Sequence, residues 1–211
     1  MPPSDPLDES VERMLAGDDD ALRTVYRQVH PPLLRYLTVL VGPDDAEDVA
    51  SEAWTQAFRD LDRFTGGGDG FRGWLTTIGR HRALDHLRRR QRQPRADVPL
   101  DDLLDRPDDA DVESEVVAAL GTEAALALVA GLPVDQAEAI MLRTVLGFDA
   151  PAAAQILGKR PGAVRSATHR GLRALSRRLE EAAPESASQH SSRNFSRTRD
   201  TSPTLDAEGP R

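Results

Sequence analysis

Apolar residues recur at intervals of three and four along most of this chain, the spacing of one face of an α-helix. The first such stretch covers residues 11–41, in which Leu22, Val25 and Leu37 keep helical register. The pair Pro31-Pro32 predicts a break or kink within it, because proline lacks an amide hydrogen and clashes with the preceding turn. Gly42-Pro43 predicts its end.

The clearest helix follows, over residues 44–61. Asp44 or Asp45 is expected to cap it, since carboxylates are favoured at a helix N-terminus. Its polar face includes Asp48, Glu52 and Gln56. Its opposite face is predicted to be buried and consists of Ala46, Val49, Ala50, Ala53, Trp54, Ala57, Phe58 and Leu61.

Residues 64–70 hold four glycines and are predicted to be a loop, because glycine disfavours helix. The helix after it is predicted to run from Phe71 to Arg92. Arg80, His81 and the arginines that follow lie largely off its apolar stripe. The stripe predicted to be buried consists of Phe71, Trp74, Leu75, Ile78, Leu84 and Leu87.

The C-terminal half predicts a second helical unit over residues 113–181, with a break at Leu132-Pro133. A short helix, 150–157, follows a capping Asp149, and Gly158 begins the turn to a helix that starts at Pro161. That last helix is expected to turn Val164, Thr168, Leu172, Leu175 and Leu179 inward. The fold class is therefore all-α, with two small helical domains and a helix-turn-helix in the second.

The domain boundaries follow from composition. The first domain is assigned to residues 10–93, the linker to 94–112 and the second domain to 113–181. The linker is predicted to be flexible, because it is rich in proline and aspartate and poor in apolar residues. Residues 1–9, which are polar and proline-rich, and residues 182–211, which are rich in serine and threonine, are predicted to be disordered.

The formal net charge of −8 over 211 residues argues, on average, against a nucleic-acid-binding protein. Its distribution changes that picture. Residues 64–95 contain eight basic and two acidic residues, and residues 159–179 contain seven basic residues and no acidic one. Two basic blocks on an acidic chain indicate two separate contacts with a polyanion, the alternative being two solvated helix faces.

The sequence contains few candidates for catalytic or metal-binding residues. Cysteine is absent, which excludes disulfides and thiolate metal sites. His81 and His86 do not share a helical face, so they make a poor metal pair. We predict no catalytic residue, no metal and no cofactor, and hence no enzyme. We also predict no membrane insertion and a cytoplasmic location, because no apolar stretch is long enough to span a bilayer.

The helix-turn-helix carries the clearest functional prediction. Its second helix can enter the major groove and present Arg165, Ser166 and His169 to base edges. Arginine pairs bidentately with guanine, so Arg165 is the best candidate for base readout. Arg170, Arg173 and Arg177 can reach phosphates. A generic amphipathic helical hairpin is the alternative, which the lack of acidic residues over 159–179 disfavours.

The first basic helix is less specific, since arginines are favoured at any helix C-terminus. The aromatic-flanked glycine loop beside Trp74 strengthens it, because aromatics and backbone donors next to arginine suit unstacked bases. Core packing is the alternative role for Phe71 and Trp74, and the one that the apolar stripe favours.

Several motifs occur together in one order. The first half contains residues 45–54 (DAEDVASEAW), 61–64 (LDRF), 71–75 (FRGWL) and 83–89 (ALDHLRR). The second half contains 132–133 (LP), 147–148 (GF), 156–158 (ILG), 162–166 (GAVRS) and 169–170 (HR). In these motifs and their order the chain resembles the second and fourth domains of extracytoplasmic-function (ECF) sigma factors.

The resemblance implies a dissociable subunit that brings core RNA polymerase to promoter DNA. It implies that Asp48, Glu52 and Gln56 bind the clamp helices of the β′ subunit, with the β flap as a further contact. The −35 element would be read by Arg160, Arg165, Ser166, His169, Arg170 and Arg173. The −10 element would be recognised and melted by Phe64, Phe71, Trp74, Arg80, His81, Arg88 and Arg89.

The resemblance also implies that the acidic linker runs along the RNA-exit path, and that an anti-sigma factor is a further partner. The chain departs from the family pattern at Ala167 and Thr168, in the alanine-rich helix 150–157 and at His81, where asparagine is frequent. Two other classes of function stay open from the residues alone. They are a one-component helix-turn-helix regulator and an acidic helical adaptor that binds only protein.

Overall fold

The computed structural model describes residues 6–92 and 113–182, and within these ranges the chain is helical without any strand. The all-α prediction is therefore confirmed. Short 3-10 and π segments occupy Leu61–Arg63 and Met141–Val145. The α-helices are α1 (Pro6–Leu15), α2 (Asp19–Val41), α3 (Pro43–Arg59), α4 (Gly68–Arg92), α5 (Glu113–Ala130), α6 (Val134–Ile140), α7 (Ala150–Leu157) and α8 (Pro161–Ala182).

The predicted linker, 94–112, lies outside the described residues, as do residues 1–5 and 183–211 of the segments predicted to be disordered. The prediction of disorder is wrong for residues 6–9, which form the first turn of α1, and for Ala182, which is the last residue of α8. Leu7, Val11 and Met14 of α1 are buried. These three apolar residues let the helix pack against the core, although most of its other residues are polar. No helix within the described ranges is long and apolar enough to cross a membrane.

The single helix predicted over 11–41 is in fact two, because the chain turns at Gly17, where φ is 90°. Asp18 caps α2 by accepting hydrogen bonds from the amides of Asp20 (2.9 Å) and Ala21 (3.1 Å). The amide of Ala21 and the guanidinium of Arg13 hold the pKa of Asp18 below its ordinary value. The break predicted at Pro31-Pro32 is absent, since α2 continues through both prolines.

The start of α3 also differs from the prediction. Pro43 occupies its first turn and Gly42 its N-cap position without a side-chain cap, so neither Asp44 nor Asp45 is the capping residue. The apolar face is buried as predicted from Ala46 to Ala57, but not beyond that point, where Leu61 is half-buried and lies after the end of α3. Phe58 is 45% exposed, which makes its predicted burial wrong.

Helix α4 begins at Gly68, three residues before the predicted start, so part of the glycine run is helical. Phe71 and Leu75 are fully buried, while the other apolar residues of its stripe are half-buried. A Cβ atom at Gly79 would lie 3.1 Å from Cδ1 of Leu33 on α2. The missing side chain therefore permits a close approach of α4 to α2.

The second half follows its prediction closely at the turns. The break at Leu132-Pro133 is confirmed between α5 and α6, and Asp149 accepts the amide of Ala152 at 2.7 Å to cap α7. On α8, Val164 is buried and Thr168 and Leu175 are half-buried. Leu172 and Leu179 are exposed, so the prediction that they face inward is wrong.

The described residues up to Leu175 belong to one compact unit, and residues 176–182 at the end of α8 belong to another. Within the first unit, α2 packs against both α5 and α6, and α4 packs against α7. Buried residues from both halves of this unit belong to one apolar cluster. The two predicted helical domains are thus in direct contact.

Candidate functional site

The helix-turn-helix is formed by α7, a turn at residues 158–160 and α8. Gly158 adopts the left-handed conformation, with φ 63° and ψ 34°, which a residue with a Cβ adopts at a cost. The amide of Lys159 then closes the end of α7 by donating to the carbonyl of Ala154 at 2.9 Å. Val164 and Ala167 of α8 are buried, so the opposite side of α8 faces outward.

That outward side carries the residues predicted to contact the −35 element. All six are exposed: Arg160, Arg165, Ser166, His169, Arg170 and Arg173. Arg170 lies 3.8 Å from the carboxylate of Asp135, and both side chains are largely in solvent. Such an exposed ion pair is weak, which leaves Arg170 able to bind another anion. The structure therefore brings this predicted group together on one accessible surface.

The aromatic residues predicted to contact the −10 element form a packed cluster. The rings of Phe64 and Trp74 stack with centroids 5.0 Å apart, and Phe64 meets Phe71 edge to face at 5.5 Å. Phe64 and Trp74 are half-buried and keep part of their surface accessible. Phe71 is 0% exposed, so its ring lies in the core and cannot meet DNA in this arrangement.

Arg80, predicted to contact the −10 element, is engaged inside the protein. Its Nε donates to Oε1 of Glu138 at 2.6 Å, and the hydroxyl of Tyr36 donates to the same oxygen at 3.2 Å. The side chains of Arg80 and Glu138 are 16% and 4% exposed. Contact between Arg80 and DNA therefore requires this pair to separate.

Burial sets the electrostatics of this cluster. Burial, and then the charge of Glu138, raise the pKa of the Tyr36 hydroxyl well above its ordinary value, so the hydroxyl stays protonated and donates. Burial by itself would lower the pKa of Arg80, but the hydrogen bond and charge of Glu138 outweigh it and raise that pKa. The guanidinium of Arg80 is consequently charged near neutral pH.

The remaining residues of the predicted −10 group lie at the C-terminal half of α4. His81, Arg88 and Arg89 are exposed. Arg88 pairs with Asp85 at 2.9 Å, and Arg89 pairs with Glu52 at 3.4 Å, both between exposed side chains. These solvent-facing pairs are worth little, so the arginines can change partners when a polyanion approaches.

The predicted polymerase-binding residues share one face of α3. Asp48 and Glu52 are exposed and Gln56 is half-buried. They line a shallow depression of about 510 Å³ together with Arg82 of α4, which donates to Oε1 of Gln56 at 2.8 Å. The surface is polar, carries both signs of charge and suits a protein partner better than a small apolar ligand.

Sequence reasoning missed Tyr36, Arg82 and Glu138. The sequence signal that could have identified Glu138 is its position among Ala137, Ala139 and Ile140. An acidic residue within an apolar run is expected to be buried and to need a hydrogen-bonding partner. Its partner on α4 is 58 residues away in sequence. No cluster of three or more potential metal ligands occurs within residues 6–92 and 113–182.

Comparison with known protein families gives two matches. The profile described as sigma-70 region 2 matches residues 25–93. The profile described as sigma-70 region 4 matches residues 122–175. The two matched segments correspond to the helices from α2 to α4 and from α5 to α8.

Relatives of known name agree with these matches. The ECF RNA polymerase sigma factor ShbA of Streptomyces griseus is 37% identical over 174 residues, which are 78% of this chain and 91% of ShbA. A solved structure of the sigma factor RpoE in complex with the anti-sigma factor NepR from Bartonella quintana is 25% identical, with a TM-score of 0.58 over 75% of this chain and 96% of that chain. CnrH in complex with the cytosolic domain of CnrY is 22% identical and shares the fold, with a TM-score of 0.59 over 84% of this chain and 99% of that chain.

Proposed function

This chain belongs to the extracytoplasmic-function family of RNA polymerase sigma factors, and from that membership we propose how its surfaces divide the work of transcription initiation. The protein binds core RNA polymerase and directs promoter-specific initiation by recognising −10 and −35 elements. One observation carries the proposal: a helix-turn-helix with an exposed basic face shares a chain with a sigma region 2. We assign region 2 to residues 10–93, region 4 to 113–181 and the acidic connection between them to 94–112.

The −35 element is assigned to α8 and the turn before it. Support comes from the exposure of Arg160, Arg165, Ser166, His169, Arg170 and Arg173 along one side of this segment. Arg165, near the N-terminal end of the helix, is in the position from which a recognition helix reads base edges. Arg173, two turns further on, is better placed for a phosphate.

We expect Arg165→Ala to cost about 1–3 kcal/mol of discrimination at one base pair of the −35 element, because a bidentate arginine–guanine contact has that value. Initiation rates on a set of single-base −35 variants measure it. Arg173→Ala is the matched control and should weaken binding almost equally on every sequence, with a smaller salt dependence. A uniform loss for Arg165→Ala would make it a phosphate contact instead.

The −10 element is assigned to the loop at residues 64–67, the half-buried Trp74, and His81, Arg88 and Arg89 of α4. This segment carries both exposed arginines and partly accessible aromatic rings, the two kinds of group that bind unstacked bases. Arg80 joins this surface only when its pair with Glu138 separates. Phe71 is withdrawn from direct contact because it is fully buried.

Core RNA polymerase is the proposed partner of the α3 face formed by Asp48, Glu52 and Gln56, which would meet the β′ clamp helices, while region 4 would meet the β flap. A structural relative is bound to an anti-sigma factor, which supports an anti-sigma factor as a further partner of this chain. The relatives are sigma factors, which are DNA-binding transcription regulators rather than enzymes, so we propose that the chain is not an enzyme. It would act in the cytoplasm, where polymerase and promoters are.

A transcription assay tests the proposal. The purified protein is mixed with core RNA polymerase and a promoter library, and the transcripts are sequenced. We expect start sites that require both protein and core enzyme, downstream of a shared pair of elements. Binding to specific DNA without polymerase would indicate a one-component regulator. Failure to associate with core enzyme would refute the proposed function.

A further inference from the structure

Helix α1 lies before the segment that matches sigma-70 region 2, which begins at residue 25. It is nevertheless part of the same core. Leu7, Val11 and Met14 are buried, and α1 packs against both α2 and α4. The N-terminal end of α1 contacts the glycine segment at the start of α4. This contact gives α1 a role besides adding apolar packing.

Asp8 on α1 caps α4 from a distance in sequence. The amide of Gly68, the first residue of α4, donates to Oδ1 of Asp8 at 2.5 Å, across 60 residues. An N-cap is ordinarily supplied by the residue directly before a helix. Here a glycine precedes Gly68, so the segment has no side chain of its own for the purpose and takes a carboxylate from α1. A negative charge at this position also favours the helix dipole.

The contact between α1 and the glycines is close. A Cβ atom at Gly68 would lie 2.6 Å from Cγ and 3.0 Å from the backbone carbonyl carbon of Leu7. A Cβ atom at Gly67 would overlap the carboxylate of Asp8. A larger residue at Gly68 would have to push the backbone of α1 away, and one at Gly67 would displace the carboxylate of Asp8, so the two glycines and the first turn of α1 fit as a pair.

The other side of the loop is held by an aromatic ring. Cζ of Phe64 would lie 3.2 Å from a Cβ atom at Gly66 and 3.7 Å from one at Gly70. Phe64 in turn stacks on Trp74, with centroids 5.0 Å apart. The glycines of this segment therefore contact α1 at Gly67 and Gly68 and the ring of Phe64 at Gly66 and Gly70.

We propose that Asp8 is a positioning residue for −10 recognition. It holds the loop at residues 64–67 in the geometry that accepts an unpaired base, by capping α4 at Gly68. This inference rests on the proposed function, since it assigns a role in recognition to a helix outside the matched region. Without the cap, the loop would have to become ordered when DNA binds, and this loss of conformational entropy would weaken binding.

The test uses the full chain assembled with core enzyme. Its probe is a single-stranded oligonucleotide that carries the −10 sequence of a promoter selected in the library assay. Asp8→Ala should weaken binding of the holoenzyme to this oligonucleotide about fivefold, the typical effect of losing an N-cap. Asp8→Asn retains an oxygen acceptor and should bind within about twofold of the wild type. The affinity for core enzyme and the response to −35 variants should not change.

Glu9→Ala is the matched control, because Glu9 is an exposed acidic residue on the same helix. It should leave oligonucleotide binding unchanged. The proposal is overturned if Asp8→Ala binds like the wild type, if Glu9→Ala loses as much, or if Asp8→Ala weakens core binding by the same factor. The last result would mark Asp8 as a support of the whole domain, and Asp8→Asn separates the two cases should Asp8→Ala fold poorly.

Failure of the proposed function gives a different signal. If wild-type protein with core enzyme starts no transcript, the sigma assignment fails. The cap itself is still measured on the free protein by exchange of the Gly68 amide hydrogen, which should be about fivefold faster in Asp8→Ala than in the wild type and protected in Asp8→Asn. Equal exchange in all three proteins would refute the capping role.

Discussion

Glu138→Ala is expected to lower the free energy of unfolding by about 3–5 kcal/mol, because it leaves a buried charge without its partner. Glu138 is 3% exposed and accepts hydrogen bonds from both Arg80 and Tyr36. Without the carboxylate, the guanidinium of Arg80 and the hydroxyl of Tyr36 both lose the hydrogen-bond acceptor that they share inside the protein. Urea denaturation followed by circular dichroism measures the loss.

Asp135→Ala is the matched control for this result. Asp135 lies on the same helix, α6, but its side chain is 43% exposed and its ion pair with Arg170 is 3.8 Å long. The cost of that substitution should stay below about 1 kcal/mol. Similar losses for the two variants would mean that burial does not control the energy of these pairs.

A double variant separates the value of the pair from the cost of breaking it. Arg80→Met combined with Glu138→Leu removes both charges and fills their space with apolar atoms. Such a replacement is often neutral or stabilising, so the double variant should be more stable than Glu138→Ala alone. If the double variant is no more stable than Glu138→Ala, the attraction between Arg80 and Glu138 exceeds the cost of removing both charges from water.

The pairing of Arg80 shows where sequence reasoning reaches its limit. Helical spacing identified α3, α4, α7 and α8, because three-four periodicity is a local property that the fold keeps. Contacts between residues 58 or 102 positions apart, such as those of Glu138 with Arg80 and Tyr36, leave no periodic mark. A basic residue in a basic helix was therefore assigned to DNA, although in the fold a carboxylate from the second domain holds it.

Local signals also failed where tertiary contact outweighed them. Proline predicts a break in α2, yet the carbonyls of Arg27 and Gln28, which lose their donors to Pro31 and Pro32, belong to exposed residues and can bind water. Glycine predicts a loop up to residue 70, yet Asp8 caps the helix at Gly68. In both places the outcome depends on what surrounds the backbone rather than on its intrinsic preference.

The α8 surface shows the converse case. The six predicted DNA contacts on α8 and the turn before it are all exposed. The basic residues over 159–179 and the apolar position of Val164 were enough to predict which side of the helix faces solvent. Leu172 and Leu179 continue the apolar spacing but find no cover. Periodicity thus identified the outward side of α8 correctly while overstating how far its inward side is covered.

Phe71 carries two sequence assignments that exclude each other, since it was placed both in the buried stripe of α4 and among the −10 contacts. Its ring is 0% exposed and lies within 6.0 Å, centroid to centroid, of Trp54, Phe64 and Trp74. Phe71→Ala should therefore lower the free energy of unfolding by about 3–5 kcal/mol through lost burial and the cavity left behind. Phe58→Ala, at a site 45% exposed, should cost much less.

Phe71→Leu distinguishes the two roles, because it keeps most of the apolar volume and removes the aromatic face. Such a swap should cost less than about 1.5 kcal/mol in stability. If Phe71 serves the core alone, this variant should open promoters at the wild-type rate, whereas Phe64→Ala, which removes a partly accessible ring, should open them more slowly. A slow Phe71→Leu variant that remains stable would mean that the ring leaves the core to meet DNA, and α4 would have to rearrange at its first turn when the promoter melts.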